Sequence, residues 1–517
     1  MTTLERTTST ERGASTLWRV GFCLVIALLA LIAAERIVMV DTLDPDAFWH
    51  LRVADQLARE GIRPIVDELS YNSVRTPWTP YSWLAELGMR GIWNSTGLPG
   101  AVITHILMAM TMVLASALAC SAAAATTTTT PTISSQRALP IIIAVLLAAM
   151  WTQPFTAFRP VSAAFVLLMI CAWLLLRDRR MDQRSRTVWL VPPIIALMVN
   201  VHFFAILVPC WIGALLTGAL IERDRRGARR YALLLISTAL ALLATPMLAG
   251  MIRAMAGFAG ADPLVASGQI SEMTYLWRNP WGVALAVLAA ATVGWLIVKR
   301  RDVRVGEWIW LGGMTLLAAR YARFTPLFAM LAAPLLARTL PAMNPRVLGM
   351  KIVWLMLALV IAVTAFRVID GLPPRGASPS VWLNRHPSEQ FGYPCEAADY
   401  LDAHVSPRSG HLINGFNWGG YLAWRLPQFK VMADARTQLY SAEFCRRFAF
   451  GDADTTRAAL RELIATQGAD AAILPRDDQH LRPRLLELDW TIAHQDDRVV
   501  VLTPPPRTSV LPSGDRN

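Results

Sequence analysis

Apolar residues in this chain come in runs long enough to cross a bilayer. The first extends from Leu17 to about Ala34. Further runs centre on Met110, Leu147, Met169, Ala196, Leu215, Ala241, Val287, Leu316, Ala332 and Ala358. A helix of about 20 apolar residues spans the roughly 30 Å hydrocarbon layer, so the pattern predicts about eleven transmembrane helices between residues 17 and 370. Glu35 and Arg36 follow the first run with no small-residue cleavage signal, which marks it as a retained helix rather than a removed signal peptide. A long polar loop, residues 41–99, separates the first two runs. From about residue 371 to 504 the pattern shortens and alternates. HLING, KVMADA, DAAILP and RVVVLTP have strand character; EAADYLDAHV, TTRAALRELIATQG and LRPRLLEL have helical character. This alternation predicts a small soluble α/β domain. Residues 1–16 and 505–517 are polar and expected to be disordered, and Thr126–Thr130 has the composition of a linker.

Composition narrows the class. The chain is 54% hydrophobic and only 17% charged, which excludes a cytoplasmic enzyme, a secreted disulfide miniprotein and a DNA-binding domain. The net charge of +12 is nearly all arginine, since Lys299, Lys351 and Lys430 are the only lysines. Those arginines fall in short connections: RDRRMDQRSR from Arg177, ERDRRGARR from Glu222, KRRDVR from Lys299, and the Arg338, Arg346, Lys351 stretch. With eleven spans and a cytoplasmic N-terminus, all four lie on the cytoplasmic side, as positive charge in short loops does. The excess therefore reports topology, not a nucleic-acid partner. The same parity puts loop 41–99, loop 250–280 and everything after Asp370 outside. There Cys395 and Cys445 could form a disulfide if their Cα atoms come within about 7 Å. No dinucleotide or phosphate-loop glycine pattern is present.

The densest chemistry lies in LDPDAFWHLRVADQL. Asp44 can cap a helix, Pro45 can take its first turn, and Asp46 suits the positive helix end. That explains one or two acids, but not the clustering of Asp41, Asp44, Asp46, His50 and Arg52 at a membrane surface. Asp46 and His50, four apart, share a helix face. Downstream, Trp78, Tyr81, Trp83, Leu84, Leu87 and Trp93 fit an interfacial amphipathic helix, either a belt anchor or a platform for a lipid-linked substrate. Polar residues also interrupt the spans: Arg159 in TQPFTAFRP, Asn200 and His202 in MVNVHFFAIL, and Arg320 and Arg323 in AARYARFTP. Intramembrane guanidiniums must find an anion or carbonyl partner, and a phosphate matches their fork. A lone histidine is more often a packed residue than a ligand. Glu272, in GQISEMTYLWRNPW, adds an acid on the same outer face.

These residues carry a resemblance. DPDAFWHLR, followed by GIRPIVDELS and PWTPYSWLAE, resembles the bacterial membrane glycosyltransferases of the GT-C superfamily, as do NVH, RYARFTPLFAM and NWGGYLAW with VMADART. More distantly, the motif order is similar to the oligosaccharyltransferase catalytic subunit. That family has an aspartate six residues before an arginine in its first external loop, as Asp46 precedes Arg52. It has an SVSE-like glutamate, echoed by Ile270, Ser271 and Glu272. Its WWDYG motif is echoed by Asn417, Trp418, Gly419, Gly420 and Tyr421, and a DNNT-like stretch by Asp434, Ala435, Arg436 and Thr437. Two departures stand out. Gly419 replaces the aspartate that reads the acceptor hydroxyamino acid, and TQPFTAFRP lacks the family's second metal-binding acidic pair.

The resemblance implies sugar transfer from a polyprenyl-phosphate-linked donor to an extracytoplasmic acceptor, by a multi-pass protein of the bacterial plasma membrane. Asp46 would be the first-choice general base or acceptor-orienting acid and Asp44 the second. Arg320 and Arg323 would neutralise the leaving lipid phosphate. Arg159, His50, Arg52, His202 and Glu272 would line the donor pocket, and Trp418, Gly419, Gly420 and Tyr421 the acceptor side. A divalent cation, Mg or Mn, could sit on Asp44, Asp46 and Glu272, or the reaction could run without metal. Two other classes stay open: a transporter or flippase of a lipid-linked substrate, which predicts internal repeats that the chain lacks, and a non-catalytic envelope scaffold.

Overall fold

The computed structural model describes residues 2–40, 43–125, 134–258, 263–267, 270–278, 280–376, 378–384 and 392–506. Asp41, the threonine linker and the tail beyond 506 lie outside these residues, as do the side chains of 2–16. The first half runs α1 (Thr2–Met39), α2 (Asp46–Glu60), α3 (Trp83–Ala124), α4 (Ala138–Thr152), α5 (Pro160–Arg180), α6 (Val191–Met198), α7 (Leu207–Ile221) and α8 (Arg225–Ala241). It continues through α9 (Leu248–Phe258), α10 (Pro263–Ala266), α11 (Pro280–Val298), α12 (Val305–Arg320), α13 (Thr325–Thr339) and α14 (Lys351–Asp370).

Every one of the eleven apolar runs is helical. Among the described residues seven helices are long and apolar enough to cross a membrane: α1 over Leu17–Met39, α3, α4 with its flanking turns, α5, α7 with the turn before it, α11 and α14. The protein is thus a multi-pass membrane protein. The other four runs form α6, α8, α12 and α13, with 8, 17, 16 and 15 residues. Helix α13 is apolar on all sides and buried along nearly its whole length, so it forms the middle of the bundle. Helix α3 breaks at Gly97, whose φ of 63° only glycine adopts cheaply. Pro99 then sits in the first turn of the second half, where a missing N–H costs nothing. The aromatic segment before the break is therefore a helix of its own, set off by the kink from the spanning stretch that follows.

Beyond the bundle, α15 (Pro379–Leu383), α16 (Cys395–His404), β1 (His411–Asn414), α17 (Gly419–Arg425), β2 (Lys430–Val431), α18 (Ala442–Phe448), α19 (Ala453–Gln467), β3 (Ala471–Pro475), α20 (Arg482–Leu486), β4 (Thr491–Gln495) and β5 (Val499–Thr503) build the α/β domain. The sheet order is β2-β1-β3-β5-β4. Strands β2, β1 and β3 are parallel, and β5 and β4 antiparallel. Strands β3 and β5 are continuous apolar runs because both their faces are covered. Strand β4 has no such run and a register irregularity at Ile492 and His494, which is why its sequence does not announce it.

The two regions share one core. An apolar cluster runs from Ile26, Ala109 and Ile141 in the bundle through Phe48 of α2 to Tyr393, Leu412, Tyr421 and Val501. The first loop also extends the sheet: Ser70 bridges Val431 in parallel, covering the β2 edge. Cys395 and Cys445 remain thiols buried in different apolar clusters, so the disulfide considered from sequence does not form. Cys395 Sγ instead accepts the Tyr421 hydroxyl hydrogen at 3.2 Å.

Candidate active site

Helix α2 starts at Asp46, not one residue earlier. Pro45 holds φ at −54°, and the Asp44 Oδ1 accepts the Asp46 backbone N–H at 2.9 Å. Both carboxylates thereby collect at a positive helix end. The Asp46 carboxylate is held from two sides. Its Oδ1 accepts the Trp49 indole N–H at 3.1 Å, and its Oδ2 accepts from Arg159 Nη1 at 3.0 Å.

Arg159 is the hub. It precedes Pro160, which forces an extended backbone and points the chain into the cluster before α5 begins. Its Nη1 also lies 3.3 Å from Asp44 Oδ2, and its Nη2 lies 3.3 Å from Glu272 Oε2. Glu272 Oε1 is paired in turn with Arg323. Three carboxylates and two guanidiniums from four distant segments thus meet. The Arg159 side chain is only 9% exposed, whereas Asp44, Asp46, Glu272 and Arg323 keep 20–26%, so the cluster reaches solvent along one side. The Nε atoms of Arg159 and Arg323 are buried without a hydrogen-bond partner among the described residues.

This geometry pushes two neighbouring acids apart. Burial, reinforced by Asp44, raises the Asp46 pKa to about 6 against the pull of Arg159 and Arg323. Burial also works against Glu272, but Arg323 and Arg159 outweigh it and hold that carboxyl below its usual range. Paired acids with separated pKa values are the arrangement that acid–base chemistry uses. His50, one turn along α2, is neutral: burial and then Arg159 depress its pKa far below the ordinary value. Its Nδ1 lies 2.9 Å from Glu86 Oε1.

The other sequence candidates divide. Arg320 is not drawn into the cluster: its guanidinium lies over the rings of Tyr275 and Tyr321, at 5.0 and 4.5 Å. Arg52 faces a different cleft of ≈ 460 Å³, lined with Glu68, Ser409, His411 and Lys430. His202 Nδ1 accepts the Phe204 N–H at 3.2 Å, and its ring packs on Tyr81, Phe203 and Phe204. Trp418 donates to the Gly392 carbonyl at 2.9 Å. Gly419 and Gly420 are close-approach positions: a Cβ on Gly419 would lie 2.0 Å from the Ala433 oxygen, and one on Gly420 would lie 2.9 Å from the Pro45 oxygen. Gly420 lets α17 touch the start of α2, so these residues seat the soluble domain over Asp46.

One buried residue escaped the sequence reading, and another entered it only as part of the DNNT-like stretch. Glu86, a lone acid in an apolar helix, carries the signal of an expensive intramembrane charge. Arg436 is fully buried, with Nη1 2.6 Å from Asp67 and Nη2 2.6 Å from Asp434, and it lies over Trp49 and Trp78. It bonds the first loop to the soluble domain behind the Asp46 cluster.

Among the described residues no group of three His, Cys, Asp or Glu side chains is arranged to hold a metal. Asp44, Asp46 and Glu272 converge on the Arg159 guanidinium instead, so the donor set considered for Mg or Mn does not fit one here.

In fold the chain is distantly similar to the GT-C class of membrane glycosyltransferases. One solved structure with this likeness is ArnT from Cupriavidus metallidurans in the apo state: 16% identity, 95% of this chain and 98% of that one covered, TM-score 0.51. The same protein bound to undecaprenyl phosphate matches at 13% identity over 94% and 97%, with TM-score 0.42. The apo oligosaccharyltransferase of Archaeoglobus fulgidus matches at 12% identity over 87% and 69%, with TM-score 0.49. No protein-family profile and no curated protein matches the chain.

Proposed function

We propose that this protein transfers a sugar from a polyprenyl-phosphate-linked donor to an acceptor hydroxyl at the outer face of a bacterial plasma membrane. The observation that carries the reading is the Asp46 cluster. An acid with a pKa near 6 stands beside one held low by two arginines, at the seam between bundle and soluble domain. The GT-C-like fold is consistent with it.

In this reading the acceptor hydroxyl attacks the anomeric carbon. Its oxygen forms the new glycosidic bond, its proton passes to the Asp46 carboxylate, and the bond from the anomeric carbon to the phosphate oxygen breaks. The lipid phosphate leaves with the electron pair. Arg323, and Arg159 from the buried side, face the charge that develops on it. Such fixed charges act most strongly in a dry site. Asp44 keeps Asp46 basic by like-charge repulsion. The turn where the resemblance implies an acidic metal pair carries Arg159, so a guanidinium here takes the place of a metal cation.

The test uses the full chain in detergent with a polyprenyl-phosphate sugar. Release of polyprenyl phosphate is measured, for wild type and Asp46→Asn. Donor-dependent release that the variant lacks, with donor binding retained, supports the reading. A wild-type protein that neither binds nor consumes any lipid-linked sugar overturns it and leaves a scaffold role.

A further inference from the structure

A second charge cluster lies at the other end of the bundle. Helix α5 begins beside Arg159 and ends in Arg179 and Arg180, 21 residues on, or about 30 Å along the axis. Helix α12 runs the opposite way, from Glu307 in its first turn to Arg320, and α13 leads from beside Arg323 to Arg338. Glu307 is fully buried. Arg179 Nε and Arg180 Nη2 lie 3.2 and 3.1 Å from its Oε1, and Arg338 Nη1 lies 3.9 Å from its Oε2. Arg338 also lines a ≈ 260 Å³ cavity with Arg137, Asp302, Thr339 and the end of α3.

The charges there do not balance. Three guanidiniums, those of Arg179, Arg180 and Arg338, surround the single carboxylate of Glu307; Arg137, whose Nη1 donates to the Arg338 and Leu340 carbonyls, and Asp302 line the adjoining cavity. The Arg179 side chain is 2% exposed, yet its Nη2 has no hydrogen-bond partner among the described residues; Arg180 Nε and Arg338 Nη1 are likewise unpartnered. The sequence that follows α3, residues 126–133 (TTTTTPTI), contains no carboxylate. An uncompensated buried cation is costly, and guanidinium forks match phosphate oxygens.

We infer that this end of the bundle is a phosphate-binding site, separate from the Asp46 cluster, and that its occupant is the headgroup of an anionic bilayer lipid. Basic pockets between membrane helices bind such headgroups through the same charge pairing.

The experiment measures thermal unfolding of the full chain in a neutral detergent, titrated with short-chain phosphatidylglycerol, phosphatidylcholine of equal chain length, or inorganic phosphate. Phosphatidylglycerol raises the unfolding temperature. Arg180→Gln and Arg338→Gln each weaken its apparent affinity about tenfold, the loss of roughly one charge-assisted contact. The double variant Arg300→Gln/Arg301→Gln, in the exposed loop nearby, responds like wild type. Without lipid, Arg180→Gln and Arg338→Gln unfold no lower than wild type, because each relieves the excess of positive charge. A purely structural arginine gives the opposite sign. Should Arg338→Gln not fold, Arg338→Lys keeps the charge without the fork, and its weakened response serves the same purpose. Inorganic phosphate matching phosphatidylglycerol at equal concentration overturns the lipid assignment. No response to either, or an equal loss in the Arg300/Arg301 variant, overturns the site.

Discussion

Arg159 and Asp46, 113 residues apart in sequence, meet through a 3.0 Å hydrogen bond from Nη1 to Oδ2 at the N-terminal end of α5. That one contact joins the start of α2 to the bundle, and Glu272 and Arg323 complete the ring around it. Removing the buried partner leaves three carboxylates with the single guanidinium of Arg323, which is paired with Glu272, a situation that costs about 3–5 kcal/mol. Arg159→Met should therefore lower the unfolding temperature strongly. Arg159→Lys should recover only part of the loss, because a single ammonium cannot serve Asp44, Asp46 and Glu272 together. Thermal melts of both variants in one detergent check the order.

Asp46→Asn removes the proposed base but not its shape. Activity should fall by about 10²–10⁴-fold, the range for losing a general base, with donor affinity little changed. Stability should move the other way. The folded pKa is raised from 3.8 to about 6, so the wild-type contribution is complete below pH about 4 and is lost as pH rises through about 6. Asp46→Asn should thus be more stable than wild type at pH 7–8, by on the order of 1–3 kcal/mol, and no more stable near pH 4. Melts across this range decide it; a uniform destabilisation at all pH values sinks the assignment.

The same pKa sets the pH–rate profile. A carboxylate base must be ionised, and with a pKa near 6 its ionised share climbs from about a tenth at pH 5 to about nine tenths at pH 7. Donor turnover should rise roughly tenfold over that interval and then level off. Asp44→Asn removes the neighbouring charge that helps to raise the pKa, so its profile should shift to lower pH. An unshifted rise in Asp44→Asn would show that another group titrates.

Arg436 is the clasp between loop and soluble domain, fully buried between Asp67 and Asp434. Burial alone would raise the Asp67 pKa, but Arg436 and hydrogen bonds from Ser70 and Ser73 bring it below the ordinary value. Its contribution is present above the unfolded pKa and lost as pH falls through the folded one. Arg436→Met should therefore cost about 3–5 kcal/mol at neutral pH and less in acid. Limited proteolysis between α14 and α16 should speed up in the variant before the bundle unfolds.

Much of this was legible in the chain. The eleven apolar runs are all helices, although among the described residues length and hydropathy alone mark only seven as spans. The clustering of Asp44 and Asp46 shows directly because one helix start holds both. What periodicity conceals is convergence. Nothing local in TQPFTAFRP says that Arg159 will meet Asp46 rather than a lipid phosphate. Nothing in RYARF says that Arg320 will lie on Tyr275 and Tyr321 while Arg323, three residues on, pairs with Glu272. Glu86 was missed, and Arg436 was read only as part of a motif, for the same reason: their partners, His50 and Asp67, are far away in sequence and close only in the fold.

Gly419 stands where the resemblance implies an acceptor-side residue. In the oligosaccharyltransferases that the motif order resembles, this position is an acceptor-reading aspartate, which suggests restoring it. The fold forbids that. A Cβ at Gly419 would lie 2.0 Å from the Ala433 oxygen and 2.7 Å from the Asp434 Cα, both backbone atoms that cannot step aside without moving the Arg436 clasp. Gly419→Ala should already cost about 1–3 kcal/mol as overpacking. Gly419→Asp should cost more, because it adds a buried carboxylate beside Asp434, and it should confer no recognition of hydroxyamino-acid peptides. Melts of the two variants, with peptide binding by the second, check both statements. A stable Gly419→Asp protein that binds such peptides would mean that α17 can slide away from Ala433, and that its seat over α2 is adjustable rather than fixed.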